Sequence, residues 1–138
     1  MSTPQRRYLL DTNILTDLIK HPDGRVREHI AAVGEEHICT SIIVACELRF
    51  GARKKNAPTL TQRIEQLLHA LEVLPLDADV DRAYAEVRTA LEKKGRSIGA
   101  NDLLIGAHAL HEDCVLVTHN GSEFAHIVGL TLADWLAD

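Results

Sequence analysis

The chain has 138 residues, of which 46% are hydrophobic and 25% are charged, and its formal net charge is −5. This length and composition predict one globular domain spanning residues 1–138. The acidic balance disfavours nonspecific capture of nucleic acid, and the absence of a long apolar run or an export signal predicts a cytoplasmic protein without membrane association.

Three cysteines, Cys39, Cys46 and Cys114, each lie in an apolar stretch of the sequence. Their number is odd and their spacing does not fit a zinc site. We therefore expect all three to be reduced residues of the hydrophobic core, as is usual for free cysteines in a cytosolic protein.

Short apolar strands alternate with amphipathic helices along the chain. In chain order, the pattern predicts a strand at 8–10, helices at 14–20 and 22–33, a strand at 37–41, helices at 42–54 and from 58 to about 71, a strand at 73–76, helices at 79–94 and 101–111, a strand at 115–118 and a weak last element at 130–136. Strands separated by helices predict a parallel sheet with helices on both faces. Such folds bind ligands beyond the carboxyl ends of their strands.

Asp11 directly follows the first predicted strand, in the stretch YLLDTNIL at residues 8–15. It would therefore lie at the carboxyl edge of the sheet. Asp, Thr and Asn all cap helices well, and one of Asp11, Thr12 and Asn13 would be enough to start the next helix. Helix capping and a chemical role explain Asp11 equally well when this residue is considered alone.

Three further acids lie in unusual surroundings. Glu47 belongs to the apolar stretch SIIVACELRFG, where a carboxylate is costly unless a cation, such as an arginine of the same helix, or hydrogen bonds compensate it. Asp102 opens the stretch NDLLIGAHAL, where the helix dipole alone would favour an acid. Glu123 lies in THNGSEF, for which a surface turn is the simplest interpretation.

These four acids can all converge on one edge if the sheet is parallel. Converging carboxylates raise one another's pKa, so they need a cation to stay ionised together. Ligand sets made only of oxygen suit Mg²⁺ or Mn²⁺. A metal held in this way can activate water and neutralise charge on a phosphodiester, which predicts hydrolysis that leaves 5′-phosphate ends.

Other kinds of site receive less support. His108 and His111 are three residues apart, but the H-E-x-x-H pattern of a zinc helix is absent, so structural histidines are favoured. No nucleotide-binding glycine motif follows a strand. Aromatic residues make up only 4% of the chain, which disfavours a stacking platform of the single-strand-binding kind. The basic residues at 49–55 and 93–96 are typical of solvated helix faces.

Four stretches carry a family resemblance: in order, they are LLDTNIL, SIIVACELRFGA, IGANDLLIGAHAL and LVTHNGSEF. Together they resemble the PIN-domain ribonucleases, and specifically the VapC-type toxins of bacterial type II toxin–antitoxin systems. The resemblance covers about residues 8–136. It implies a single PIN domain, with an α/β fold in which a short, mainly parallel central sheet forms the middle layer of an α/β/α sandwich.

The resemblance also implies roles for individual residues. Asp11, Glu47 and Asp102 match the acidic triad that holds Mg²⁺, for which Mn²⁺ is a possible substitute. Glu123 matches the variable fourth acid of the catalytic set. Polar residues that support the acids from behind are implied at Asn13, Thr118 and Asn120. In this reading, Thr12 or Asn13 caps the helix while Asp11 points at the metal.

The biology implied by the resemblance is that of a metal-dependent endoribonuclease toxin. Such toxins form homodimers, cut structured RNA such as tRNA and thereby inhibit translation. A cognate antitoxin neutralises them, with a basic side chain that could occupy the acidic pocket, and operator DNA is reached only through that antitoxin. Two alternatives stay open: a PIN nuclease of RNA processing without an antitoxin, and a catalytically silent PIN-fold binding module.

Overall fold

The protein was analysed as a computed structural model that describes residues 6–137. Its elements in chain order are β1 (Tyr8–Leu10), α1 (Thr12–Lys20), α2 (Arg25–Val33), a 3-10 turn (Glu35–His37), β2 (Ile38–Ser41), α3 (Ile42–Lys55), α4 (Pro58–Ala70), β3 (Glu72–Leu74), α5 (Val80–Lys93), α6 (Ala100–His111), β4 (Val115–Val117), α7 (Gly121–Phe124) and β5 (Leu132–Ala133). Within these described residues, no helix has both the length and the apolarity needed to span a membrane.

The five strands form one sheet in the order β3-β2-β1-β4-β5, and every neighbouring pair is parallel. Parallel neighbours require crossover connections, which the helices supply. The predicted α/β class with a parallel central sheet is therefore confirmed.

The direction of the strand order reverses at β1. β2 and β3 lie on one side of β1, whereas β4 and β5 lie on the other. Such a reversal opens a crevice beyond the carboxyl ends of the two strands that flank it, here β1 and β4. Leu10 pairs with Val117, so Asp11 and Thr118 leave the sheet side by side.

The hydrophobic core surrounds these central strands. Leu9, Leu10, Leu116 and Val117 are fully buried, as expected for parallel strands covered on both faces. Gly106 on α6 lets the segment after α7 approach closely, since a Cβ at this position would lie 2.6 Å from Ile127 Cδ1. The glycine therefore leaves room for the Ile127 side chain next to the segment that carries Glu123.

Several local predictions were wrong. β3 ends at Leu74, before Pro75, because proline has no backbone N–H for the sheet. The stretch predicted as a surface turn contains the short helix α7. Cys39 and Cys114 are buried as predicted, but Cys46 is exposed on the solvent side of α3.

Candidate metal centre

Asp11 is held at the junction between β1 and α1. It is only 4% exposed and is the N-cap of α1, where its Oδ1 accepts a hydrogen bond of 2.8 Å from the Thr12 backbone N–H. Its Oδ2 accepts a bond of 2.7 Å from the Thr118 hydroxyl. The prediction that Thr12 or Asn13 caps the helix is wrong, because Asp11 is itself the cap. Each Asp11 oxygen retains lone-pair capacity for a further ligand.

Glu47 lies half-buried on α3 and is held by neutral donors. The Thr12 hydroxyl donates to its Oε1 at 2.5 Å, and Asn101 Nδ2 lies 3.5 Å from its Oε2. No lysine or arginine between residues 6 and 137 forms an ion pair with this carboxylate. The compensating arginine considered from the sequence is therefore not found. No local pattern in the sequence marks Thr12 and Asn101 as the partners of Glu47.

Asp102 and Glu123 lie in the first turns of α6 and α7 respectively. The negative charge of Glu123 reaches Asp102 and helps to raise its pKa. Glu123 is held by the Gly99 backbone N–H, at 3.0 Å from its Oε1, and by Asn120 Nδ2, at 2.5 Å from its Oε2.

The polar residues after β4 connect these acids. Thr118 donates to Asp11 and accepts a bond of 3.0 Å from the Asn120 backbone N–H, and Asn120 in turn donates to Glu123. Asn13 has a different position from the one expected. Its Oδ1 accepts a bond of 3.2 Å from the His119 backbone N–H, so it anchors the segment after β4 rather than an acid.

The electrostatics show that the four carboxyl groups converge. Burial raises the pKa of Asp11, hydrogen bonds from Thr118 and Thr12 oppose this, and the charges of Glu47 and Glu123 add to it. Burial, together with repulsion from Asp11, Glu123 and Glu47, raises the pKa of Asp102 to about 7. The structure therefore brings all four predicted acids within electrostatic reach of one another.

The donor chemistry of this cluster fits a hard divalent cation. All the donors are oxygens, and no imidazole or thiol takes part. Mg²⁺ keeps several waters in proteins and needs only one or two direct carboxylates, so widely spaced acids suit it. A cation at this cluster would also offset the repulsion among the carboxylates, which is one cause of the raised pKa of Asp102.

A second acidic group lies beside Arg7, which precedes β1. Among residues 6–137, Asp77, His111 and Glu112 bring one ligand atom each within 4.8 Å of one another, a spacing that no three of the four predicted acids reach. Its members already pair: His111 Nε2 lies 3.0 Å from Asp77, and Arg7 lies 2.9 Å from Glu112. These contacts form an ion-pair network, with His111 in a structural position.

Comparisons with known proteins place this geometry in context. Residues 8–130 match the family model of the PIN domain. The chain is 40% identical to Ribonuclease VapC2 of Rickettsia felis, over 93% of this chain and 97% of the relative. It is 32% identical to the tRNA(fMet)-specific endonuclease VapC of Shigella flexneri, over 94% and 98% of the two chains.

Solved structures of VapBC proteins are also similar to this chain. A structure of VapBC2 from Rickettsia felis, bound to a DNA fragment from the promoter, matches with a TM-score of 0.86 and 39% identity, over 93% of this chain and 98% of that chain. DNA-bound VapBC from Salmonella typhimurium matches with a TM-score of 0.88 and 32% identity, over 95% and 99%.

Proposed function

Because the chain belongs to the PIN-domain family, where its full-length relatives are VapC ribonucleases, we propose that it is a Mg²⁺-dependent endoribonuclease acting as the toxin of a toxin–antitoxin pair. The observation that carries the proposal is the convergence of four carboxyl groups, of which Asp11, Glu47 and Glu123 are held by neutral donors. Such repulsion lowers the stability of the metal-free protein, and it is relieved when a cation binds.

The acids divide the work between them. Asp11, Glu47 and Asp102 hold the cation, which Mn²⁺ can replace, and Glu123 is the auxiliary acid. When bound, the cation supplies Lewis-acid polarisation of a phosphodiester and a lowered pKa for water. Hydrolysis of this kind does not use the ribose 2′-hydroxyl and leaves 5′-phosphate ends.

The residues around the acids position them. Thr12 links Asp11 to Glu47, since its backbone N–H donates to the first and its hydroxyl to the second. Thr118 and Asn120 link Asp11 to Glu123. These hydrogen bonds fix the carboxylates without neutralising them, which preserves their affinity for a cation. Asn13 acts one step further out, through the His119 backbone.

The substrate and partners follow from the relatives. A relative named as a tRNA(fMet)-specific endonuclease supports structured RNA, and tRNA in particular, as the substrate, so that cleavage inhibits translation in the cytoplasm. Solved VapBC complexes with DNA support a cognate antitoxin through which operator DNA is reached. A basic antitoxin side chain competes with the cation, and the net charge of −5 favours such a partner. We further propose one PIN domain over residues 1–138 that works as a homodimer.

The test is to map new 5′-phosphate ends after incubating purified, antitoxin-free protein with total bacterial RNA and Mg²⁺. Asp102→Asn and a chelator serve as negative controls. Glu86→Gln, which changes an exposed acid of α5 in the same way, is the matched control. A few discrete ends from the wild type and Glu86→Gln, absent with Asp102→Asn or chelator, are expected.

Three results would contradict the proposal or part of it. Full cleavage by Asp102→Asn would show that the reaction does not require the acidic cluster. No new ends with either Mg²⁺ or Mn²⁺ would favour a catalytically silent binding module. Cleavage that no co-expressed DNA-binding partner suppresses would favour a nuclease of RNA processing instead.

A further inference from the structure

Helix α3 has an exposed aromatic residue one turn beyond Glu47. Positions three, four and seven residues apart share one side of a helix, so Phe50, Gly51 and Lys54 continue the side on which Glu47 lies. The Phe50 ring is 66% exposed, and Lys54 Nζ lies 6.0 Å from its centroid. We call these three residues beyond Glu47 the α3 face.

The exposure of Phe50 has no explanation in the packing of the fold. Phe124, the other phenylalanine, is fully buried in the core. Gly51 is also unexplained by packing, since a Cβ at this position would have no neighbour within 4 Å. Glycine inside a helix is less favourable than alanine, so an unneeded glycine beside an exposed ring indicates a surface kept open.

Positive charge surrounds the exposed ring. Arg53, Lys54 and Lys55 form the last turn of α3, and none of them pairs with a carboxylate between residues 6 and 137. Arg49, by contrast, is engaged by Glu65 through two bonds of 2.9 and 2.8 Å. The α3 face therefore offers an apolar ring and an available cation next to an acidic centre.

We propose that the α3 face binds an unpaired nucleotide of the RNA substrate, with Phe50 stacked on the base and Lys54 contacting a phosphate. This inference rests on the proposed function and adds the element that holds the strand. RNA-binding proteins stack unpaired loop bases on aromatic side chains, and any base can stack. Because the ring lies one helical turn from Glu47, a nucleotide held there places a neighbouring phosphodiester at the acids.

Phe50 is therefore a positioning residue, and its contribution is to binding. Removing one stacked base weakens RNA binding by roughly 5- to 150-fold. Removing one phosphate contact reduces the dependence of binding on salt by about one charge. Low overall aromatic content does not conflict with this inference, because a single ring at the correct place is sufficient.

The experiment measures tRNA affinity in the Asp102→Asn background, which separates binding from cleavage, using bulk bacterial tRNA as the probe. Phe50→Ala and Phe50→Leu are expected to weaken binding about tenfold, and Phe50→Trp to preserve it. Lys54→Ala should flatten the salt dependence. Val128 is another exposed apolar residue, 74% exposed between α7 and β5. Val128→Ala should therefore bind tRNA as tightly as the Asp102→Asn protein that carries no second substitution.

The same substitutions are then placed in the otherwise wild-type chain. Phe50→Ala should raise the KM for cleavage about tenfold and change kcat less, because stacking acts on binding. Tryptophan at position 50 should restore the KM. Melting temperature and gel filtration are recorded for every variant, so that a folding or assembly defect is recognised.

Several outcomes would overturn the inference. Unchanged tRNA affinity in Phe50→Ala, or normal affinity in Phe50→Leu, would exclude stacking. A shift of Phe50→Ala from dimer to monomer would assign the ring to a contact between copies, and loss of antitoxin binding alone would assign it to that partner. RNA binding without any wild-type cleavage would contradict only the proposed function, whereas no RNA binding would contradict this inference.

Discussion

The strands begin at one edge of the sheet, here called the amino edge, and end at the opposite one, the carboxyl edge. Acidic residues have opposite surroundings at these two edges. At the amino edge, carboxylates pair with cations: Arg6 lies 3.3 Å from Asp113, and Arg7 lies 3.1 Å from Glu72 and 2.9 Å from Glu112. At the carboxyl edge, Asp11, Glu47 and Glu123 receive hydrogen bonds from hydroxyl, amide and backbone donors, and none of the four acids pairs with a lysine or arginine between residues 6 and 137. The first arrangement neutralises charge within the fold, while the second leaves it for a ligand.

The difference shows why position in the fold decides what an acid does. The amino edge lies next to Arg6 and Arg7, so acids there join ion pairs. The carboxyl edge lies at the strand-order reversal, where Asp11 caps α1 and Asp102 lies in the first turn of α6. Raised pKa values appear at this edge alone among the acids from residue 6 to residue 137.

The largest expected effect is a difference in RNA cleavage between substitutions at the carboxyl edge and substitutions at the amino edge. We expect Asp11→Asn to reduce kcat/KM for RNA cleavage by about 1000-fold, because it removes a charge needed for the cation while nearly preserving the shape of the side chain. Glu112→Gln at the amino edge should cleave like the wild type. Comparable losses of kcat/KM in both variants, measured on one mapped RNA substrate, would contradict the functional difference between the two edges.

A smaller effect should come from the residues that position the acids. Thr118→Val removes the hydroxyl that donates to Asp11 and accepts from Asn120. Substitutions of this kind behind a metal ligand cost about 10- to 100-fold in activity or metal affinity. Thr118→Ser keeps the hydroxyl and should retain most activity. Single-turnover cleavage across a Mg²⁺ titration checks this, and equal behaviour of the valine and serine variants would contradict it.

The carboxyl edge should also give the metal-free protein a characteristic pH dependence. The pKa of Asp102 is about 7 in the folded chain against an ordinary value of 3.8, so the folded state binds more protons between these limits. The free energy of unfolding therefore falls as pH rises from about 4 to 7. Because Asp102 is partly exposed, we expect Asp102→Asn to recover only about 1–2 kcal/mol at pH 8.

This pH effect is measured by urea unfolding in chelator at pH 5 and at pH 8. Mg²⁺ should stabilise the wild type at pH 8 and stabilise Asp102→Asn much less, since binding to the folded state alone raises stability. Identical pH slopes for the two proteins would show that Asp102 does not carry the raised pKa.

The smallest effect should come from breaking the amino edge. Arg7→Met leaves Glu112, which is only 20% exposed, without its cation. We expect a loss of about 1 kcal/mol in the free energy of unfolding and no change in RNA cleavage or Mg²⁺ dependence. Thermal melts and the cleavage assay check this together. A cleavage defect at unchanged stability would mean that the amino edge takes part in function.

The sequence predicted the fold well where the periodic pattern was long. Helices α3 and α6 were predicted to within one residue at each end, because an apolar run follows a strand or loop in each case. The helix α7 was not predicted. It has four residues, too few to show a period, and its Phe124 packs beside Gly106 of α6 in the core.

The four acids were predictable because each stands out in its own short stretch. Their supporting partners were only partly predictable. Thr118 and Asn120 follow a strand at the same edge, but Thr12 and Asn101 reach Glu47 only through tertiary contacts, which no local pattern records. Phe50 was hidden for the opposite reason, since an apolar residue in an apolar helix predicts burial.

The most direct test of the account is electron paramagnetic resonance of Mn²⁺ binding. The spectra compare the wild type, Asp102→Asn at the carboxyl edge and His111→Ala at the amino edge, where His111 belongs to the second acidic group. We predict that tight Mn²⁺ binding is lost in Asp102→Asn and retained in His111→Ala. Retention in Asp102→Asn with loss in His111→Ala would place the metal at the amino edge and contradict the account.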